Sequence, residues 1–350
     1  MDKSKNKNRL KYFLVLFFSI AFLIILFFVS LYVGRYKLKW NNFWNGLFKK
    51  QDYLIETNVL FRLRLPRTLM AMIVGASLSI AGFIFQEIFR NNLVSPNVLG
   101  VTNGASIGAI IGILIGLPIS IISLMSFSFG IVVVILTIFI SKIFTKYSST
   151  LNFVLAGIIV SSLTSSIIGI TKYIANENTT LPTITFWLLG SLQNITMKMV
   201  LIAFLVNTIC IIIVFITKKH LVMVSLGKVH AETKGLKYIP FILLFITIST
   251  TLTATSISAS GSISWVGLII PHIVKIFIEK LYNGKKYYHI FMLLIVWGAL
   301  FVLLSDIISR TFTSSEIPIS AITGLLGSIT FVLTIIIERF KKYGRNNQSK

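Results

Sequence analysis

Hydrophobic residues in this chain gather into long uncharged runs set apart by short polar punctuation. Between consecutive charged residues the uncharged stretches are 12–34, 68–86, 91–141, 147–171, 199–217, 238–274, 287–305 and 317–337. About twenty apolar residues cross a hydrocarbon core as an α-helix, which satisfies every backbone hydrogen bond internally. Six of the runs fit one crossing each. The runs 91–141 and 238–274 are long enough for a pair each, with breaks expected near Gly116-Leu117-Pro118 and Ser260-Gly261-Ser262. The pattern predicts an all-α integral membrane protein with ten transmembrane helices, in which Lys275, just beyond the shorter double run, snorkels to an interface.

Composition agrees with this reading, since 55% of residues are hydrophobic and 12% charged, against about 25% charged in a soluble domain. The formal charge of +23 bears on orientation. With the N-terminus inside, the inner segments sum to +17 and the outer ones to +6. Lys and Arg are retained on the cytoplasmic side during insertion. A tail at 1–11, a loop at 218–237 and a tail at 338–350 are therefore expected in the cytoplasm, with 1–350 forming one transmembrane domain. The outer segment 35–67 is the exception, because it holds all of that outer excess. The cations flank spans instead of forming one patch, which argues against nucleic acid as a partner. The run 12–34 is too long for a signal peptide and no small-residue cleavage site follows, so it reads as the first span. Cys210 lies within an apolar run and implies no disulfide.

Several chemistries lack their groups. Carriers coupled to protons or sodium place acids within spans, whereas all ten Asp and Glu fall at run ends or in loops. A cation-coupled secondary transporter is thus the weaker alternative. The sequence holds no H-E-x-x-H, no G-x-S-x-G and no Walker A pattern, so no catalytic residue is assigned and ATP hydrolysis would belong to another chain. His272 has no second ligand at metal spacing and reads as a structural histidine, with no metal site expected. Trp40 and Trp44 read as interfacial anchors.

The punctuation carries the sharper signal. Residues 64–112 read RLPRTLMAMIVGASLSIAGFIFQEIFRNNLVSPNVLGVTNGASIGAIIG. Phe186-Trp187-Leu188-Leu189-Gly190-Ser191 follows, then Ser225-Leu226-Gly227 with Ala231 and Gly235-Leu236. Next come Gly261, Ile263, Val266-Gly267-Leu268-Ile269-Ile270-Pro271-His272, the Asp306 and Arg310 pair, and Glu316-Ile317-Pro318. In this order the blocks resemble the FecCD family of permeases, the membrane subunits of type II ATP-binding-cassette (ABC) importers for ferric siderophores, haem and cobalamin; similar permeases carry molybdate. Asn92 stands where that family usually has proline, and Val94 replaces alanine.

Each block also has a plainer reading. Gly75, Ala76, Ser77, Ser79, Ala81 and Gly82, and the ladder Gly100, Gly104, Gly108, allow close helix packing. Arg64 and Arg67 could snorkel while Arg310 pairs with Asp306 one turn earlier; the resemblance implies instead that these arginines dock a substrate-binding protein. The 218–237 loop could rest on anionic lipid or form a short amphipathic helix ended by Gly235. The resemblance makes it the coupling element, with Leu226, Gly227, Ala231 and Gly235 shaping a contact with an ATPase subunit. Ser148, Ser149 and Thr150 could cap a helix; by resemblance Ser149 and Thr150 also narrow the inner gate. The family further implies pairing with itself or a sister permease in a bacterial cell membrane, an inverted repeat of spans two to five and seven to ten, and no cofactor on this chain, ATP being used by its partner.

Overall fold

A computed structural model describes residues 2–48, 53–144, 149–282, 287–313 and 315–347, and these contain helices and no strand. In chain order the helices are α1 (Asp2–Tyr32), α2 (Trp40–Leu47), α3 (Leu54–Asn58), α4 (Leu65–Phe89), α5 (Val101–Leu114), α6 (Ile119–Ser141) and α7 (Ser149–Ile174). There follow α8 (Thr180–Leu189), α9 (Met197–Ser225), α10 (Lys228–Thr233), α11 (Tyr238–Ser260), α12 (Val266–Tyr282), α13 (Tyr287–Thr311) and α14 (Ile319–Asn347). A π-helical turn, Val59–Arg64, fuses α3 to α4, and a 3-10 turn, Pro96–Leu99, precedes α5.

Among the described residues each uncharged run is mostly helical, and the two double runs break where expected. Pro118 precedes α6, and Gly261, at φ +68°, ends α11. Among the described residues eight helices are long and apolar enough to cross a membrane. The expected ten is not reached by length, because α5 has 14 residues and α12 has 17, about 21 and 26 Å against a core of about 30 Å. Charges also stop runs without stopping helices. α1 begins at Asp2, α14 continues to Asn347, and α9 passes Lys218 and Lys219 to Ser225, so the 218–237 connection shortens to α10 and its flanks.

Almost all of α4 is buried, and it packs on α9, α11, α12 and α13. Its small residues explain how. A Cβ at Gly75 would fall 2.1 Å from the Gly298 carbonyl oxygen on α13, and one at Gly82 would fall 1.7 Å from that of Gly267 on α12. Backbones meet at both crossings, which is the contact membrane helices use where no hydrophobic drive separates protein from lipid. Gly104 and Gly108 seat α6 on α5 in the same way, against Phe129 and Met125 backbone. The pairings also repeat: α4 lies on α13 and α12, while α11 lies on α6 and α5. In these contacts α4 corresponds to α11, α13 to α6 and α12 to α5.

Beside this bundle, Phe43 of α2 joins Leu31, Leu38 and Leu60 in a small separate core. Trp40 and Trp44 face outward, 5.5 Å apart edge to face.

Candidate functional site: polar clusters at the two ends of the bundle

Arg67 lies in the first turn of α4 and Glu87 in its last, and each anchors a buried polar cluster. At the arginine end, Arg64, Arg67 and Arg310 are 5%, 8% and 5% exposed. Arg64 donates to the carbonyls of Leu31 (2.8 Å), Tyr32 (2.5 Å) and Tyr36 (2.5 Å). The first two are carbonyls that the end of α1 leaves without helical partners. Arg67 Nε meets Asp306 Oδ1 at 2.7 Å and its Nη1 meets Glu316 Oε1 at 2.8 Å. Arg310 Nε lies 3.3 Å from Asp306 Oδ2, and its Nη2 donates to the Ser30 carbonyl at 2.9 Å and to the Ser30 hydroxyl. Asp306 thus serves two guanidiniums and is fully buried.

The expected pairing of Arg310 with Asp306 is present. Snorkelling is not: Arg64 and Arg67 turn inward, because helix-end carbonyls and carboxylates lie within reach inside. For Glu316, burial works against ionisation most strongly, yet the bond and charge of Arg67, a bond from Gln193 and the field of Arg35 together hold its carboxyl below the ordinary carboxylate range.

A cavity of about 840 Å³ opens beside this cluster, lined by Arg35, Trp187, Gln193, Asn194, Ser260 and Glu316 among others. Three distant sequence blocks converge on it. Ser191 N–H donates to the Ser260 carbonyl (2.8 Å), and Ile319 N–H to that of Gly190 (3.3 Å). The ends of α8 and α11 and the start of α14 are thereby knitted together, and a Cβ at Gly261 would strike the Trp187 carbonyl at 2.4 Å. Non-helical backbone inside a membrane protein is tolerated where it is so bonded or lines a cavity.

At the opposite end, Lys275 does not snorkel. It is 3% exposed, with Nζ 2.8 Å from Glu87 Oε1 and donating to Gln86 Oε1 and Asn92 Oδ1 at 3.1 Å each. Its ammonium turns into the bundle, where local oxygens compensate its charge. Asn92, the departure from the family pattern, supplies one of those oxygens. Tyr287 donates to Glu87 Oε2 at 2.5 Å and lies 3.2 Å from the Ser225 hydroxyl. Sequence reasoning missed Gln86, Glu87, Asn92, Ser225 and Tyr287 as a group. The available signal was opposite single charges, Glu87 and Lys275, at the ends of two runs.

Ser225 closes α9, and α10 follows. Leu226 is 43% exposed, Ala231 is fully buried, and Gly227 and Gly235 have φ of +95° and +79°. Leu236 N–H returns to the Ala231 carbonyl at 3.0 Å and closes the helix. Val229 is 72% exposed on its outer side. Among the inner-gate residues, Thr150 is buried near the start of α7; Ser149 is described by its backbone alone, and Ser148 lies outside the described residues. The His272 ring lies 5.6 Å from that of Phe331, tilted by 53°. Among the described residues no three His, Cys, Asp or Glu gather as a metal group.

The sequence pattern of the FecCD transport family matches residues 22–337. The chain belongs to this family. A molybdate import system permease protein, MolB of Haemophilus influenzae, is 33% identical over 292 residues, 83% of this chain and 84% of that protein. The hemin transport system permease protein HmuU of Yersinia pestis is 28% identical over 313 residues, 88% and 90% of the two chains. A solved metal-chelate type ABC transporter, described as inward-facing, superposes with a TM-score of 0.81 at 32% identity, covering 92% of this chain and 98% of that one. The fold is that of an ABC importer permease, and this family member is a multi-pass membrane transport protein.

Proposed function

We propose that this chain is the permease subunit of an ABC importer, receiving cargo from a substrate-binding protein at the arginine end and driven by separate ATPase subunits at the α10 end. The observation that carries the proposal is α10. It is a short helix fixed between two positive-φ glycines, rooted by Ala231 and presenting Leu226 and Val229 outward. Such a projection suits a shape-matched contact with a cytoplasmic partner. In this reading both termini are cytoplasmic, α5 and α12 complete ten crossings, and 1–350 is one permease domain with tails at 1–11 and 338–350 and its coupling segment within 218–237. The membrane is a bacterial cell membrane. A second copy or a sister permease completes the pathway, Ser149 and Thr150 border its inner gate, and this chain itself holds no cofactor. ATP is used by the partner.

Leu226, Gly227, Ala231 and Gly235 give the coupling element its shape. Docking by Arg64, Arg67 and Arg310 requires exchange, because all three guanidiniums are bonded within the chain. A partner's carboxylate would replace Glu316 or Asp306. Glu87 and Asp306 are themselves charge-paired, which gives a cation-coupled carrier no support.

For cargo, the cavity volume lies within the range of small-molecule sites, about 300–1,000 Å³. Its mix of Trp187 with amides and hydroxyls suits a bulky ferric siderophore or haem or cobalamin. Molybdate is the second reading, supported by the likeness to MolB. Elemental analysis of cells expressing the complete importer, supplied in turn with ferric siderophore and molybdate, separates the two. For the coupling contact, Val229→Asp should insert normally yet lose co-purification with the ATPase subunit. Retained association at wild-type yield would remove α10 from that role.

A further inference from the structure

The inner cluster combines a buried polar network with a position at the root of α10. Glu87 and Lys275 are 2% and 3% exposed, and burying such a pair contributes little to stability compared with apolar residues of the same size. Its placement is more informative. It joins the last turn of α4, the middle of α12, the first residue of α13 and the last residue of α9, and two residues beyond α9 lies Gly227. Arg90 backs the same point, since a Cβ on Gly227 would fall 2.8 Å from its guanidinium. The end of α4 therefore holds the coupling segment from two sides.

The hydrogen bonds have a particular polarity. The Ser225 hydroxyl donates to the Val222 carbonyl at 2.8 Å, which leaves its lone pairs facing Tyr287. The Glu87 carboxylate is an acceptor too. Tyr287 has one hydroxyl proton between two acceptors, 2.5 Å from Glu87 and 3.2 Å from Ser225. A single donor shared in this way has two discrete positions, and a small shift of α9 against α4 selects between them. Discrete alternatives of this kind can carry coupling between sites.

We propose that Tyr287 is a positioning residue of the transport cycle, whose hydroxyl passes between Glu87 and Ser225 as α10 moves and so transmits that movement to α4, α12 and α13. The inference rests on the coupling role of α10. Tyr287→Phe is the matching probe: it removes the hydroxyl and keeps the ring that packs 5.7 Å from Phe83.

The test uses the permease assembled with its ATPase subunit, on a Cys210→Ala background, with spin labels at exposed Tyr173 and Phe312, which lie toward the arginine end. Inter-label distances are compared without nucleotide and with ATP and vanadate. Tyr287→Phe should keep ATPase association and hydrolysis while the nucleotide-driven population shift at the far end falls by about threefold or more. Ser225→Ala should act in the same direction, and the double variant should be no worse than Tyr287→Phe, as one shared contact requires. Should Tyr287→Phe fail to assemble, Ser225→Ala alone carries the comparison. A full far-end shift in the assembled variants overturns the proposal, as does a change confined to thermal stability. Val229→Asp separates the two ideas: if it retains both ATPase association and the far-end shift, the coupling reading fails, whereas normal transmission in Tyr287→Phe alone rejects only the hydroxyl link.

Discussion

Asp306 is the residue on which the arginine end depends, because it has no solvent exposure and two guanidiniums share it. Replacing it with alanine leaves Arg67 and Arg310 buried with less compensation, and breaking a buried pair costs about 3–5 kcal/mol. Thermal unfolding of the solubilised protein should show a far larger loss for Asp306→Ala than for Glu316→Gln, which retains an acceptor for Arg67. Acid should act through Glu316. Its folded pKa is depressed, so its contribution is complete above the unfolded value of about 4.3 and is lost as pH falls through the lower folded value. Glu316→Gln should therefore lower the melting temperature near neutrality, and on acidification below about pH 4 the wild type should lose an increment that Glu316→Gln does not, so that the two converge. These charges were visible in the sequence as run boundaries. Their partners were not, because Arg67 and Asp306 stand 239 positions apart and only the packing of α4 on α13 brings them together.

Among the elements, α4 sets the architecture through the residues it lacks. At Gly82 the obstacle to a side chain is the Gly267 carbonyl, which is backbone and cannot rotate away. Gly82→Leu should push α12 off α4, separate Lys275 from Glu87, and abolish folded yield in size-exclusion chromatography. Gly169→Ala on α7 is the contrasting case, with nothing within 4 Å of the added carbon, and should elute as wild type. The small residues of α4 announced close packing, though not which helices would approach. Single crossings were legible because lipid demands one unbroken apolar length. α8 was not predicted as a separate helix, since it is short and follows a polar turn, and the end of α9 was misplaced because Lys218 and Lys219 interrupt hydropathy without interrupting helix. Lys218 instead lies 5.4 Å from the Tyr288 ring, an exposed-end contact that a run-based reading has no means to see.

At the scale of the whole molecule, the two polar clusters are separated by the twenty-residue step along α4 from Arg67 to Glu87, about 30 Å of helix. That length matches the hydrocarbon thickness, so the clusters fall at the two membrane faces and α10 shares a face with Glu87. The charge asymmetry of +17 against +6 supports the proposed placement of the α10 face in the cytoplasm. The structure also reduces the one anomaly in that count: Arg64 and Arg67 are bonded inside the chain, leaving Arg35, Lys37, Lys39 and Arg62 as exposed cations of the segment among the described residues. Lys37 and Lys228 are exposed at opposite ends, and the lone Cys210 is buried, so single cysteines at these positions on a Cys210→Ala background report each face cleanly. In intact cells a membrane-impermeant thiol reagent should label position 37, and position 228 only after permeabilisation. The reverse pattern would invert the molecule, place α10 outside the reach of any cytoplasmic ATPase, and defeat the coupling reading together with the orientation.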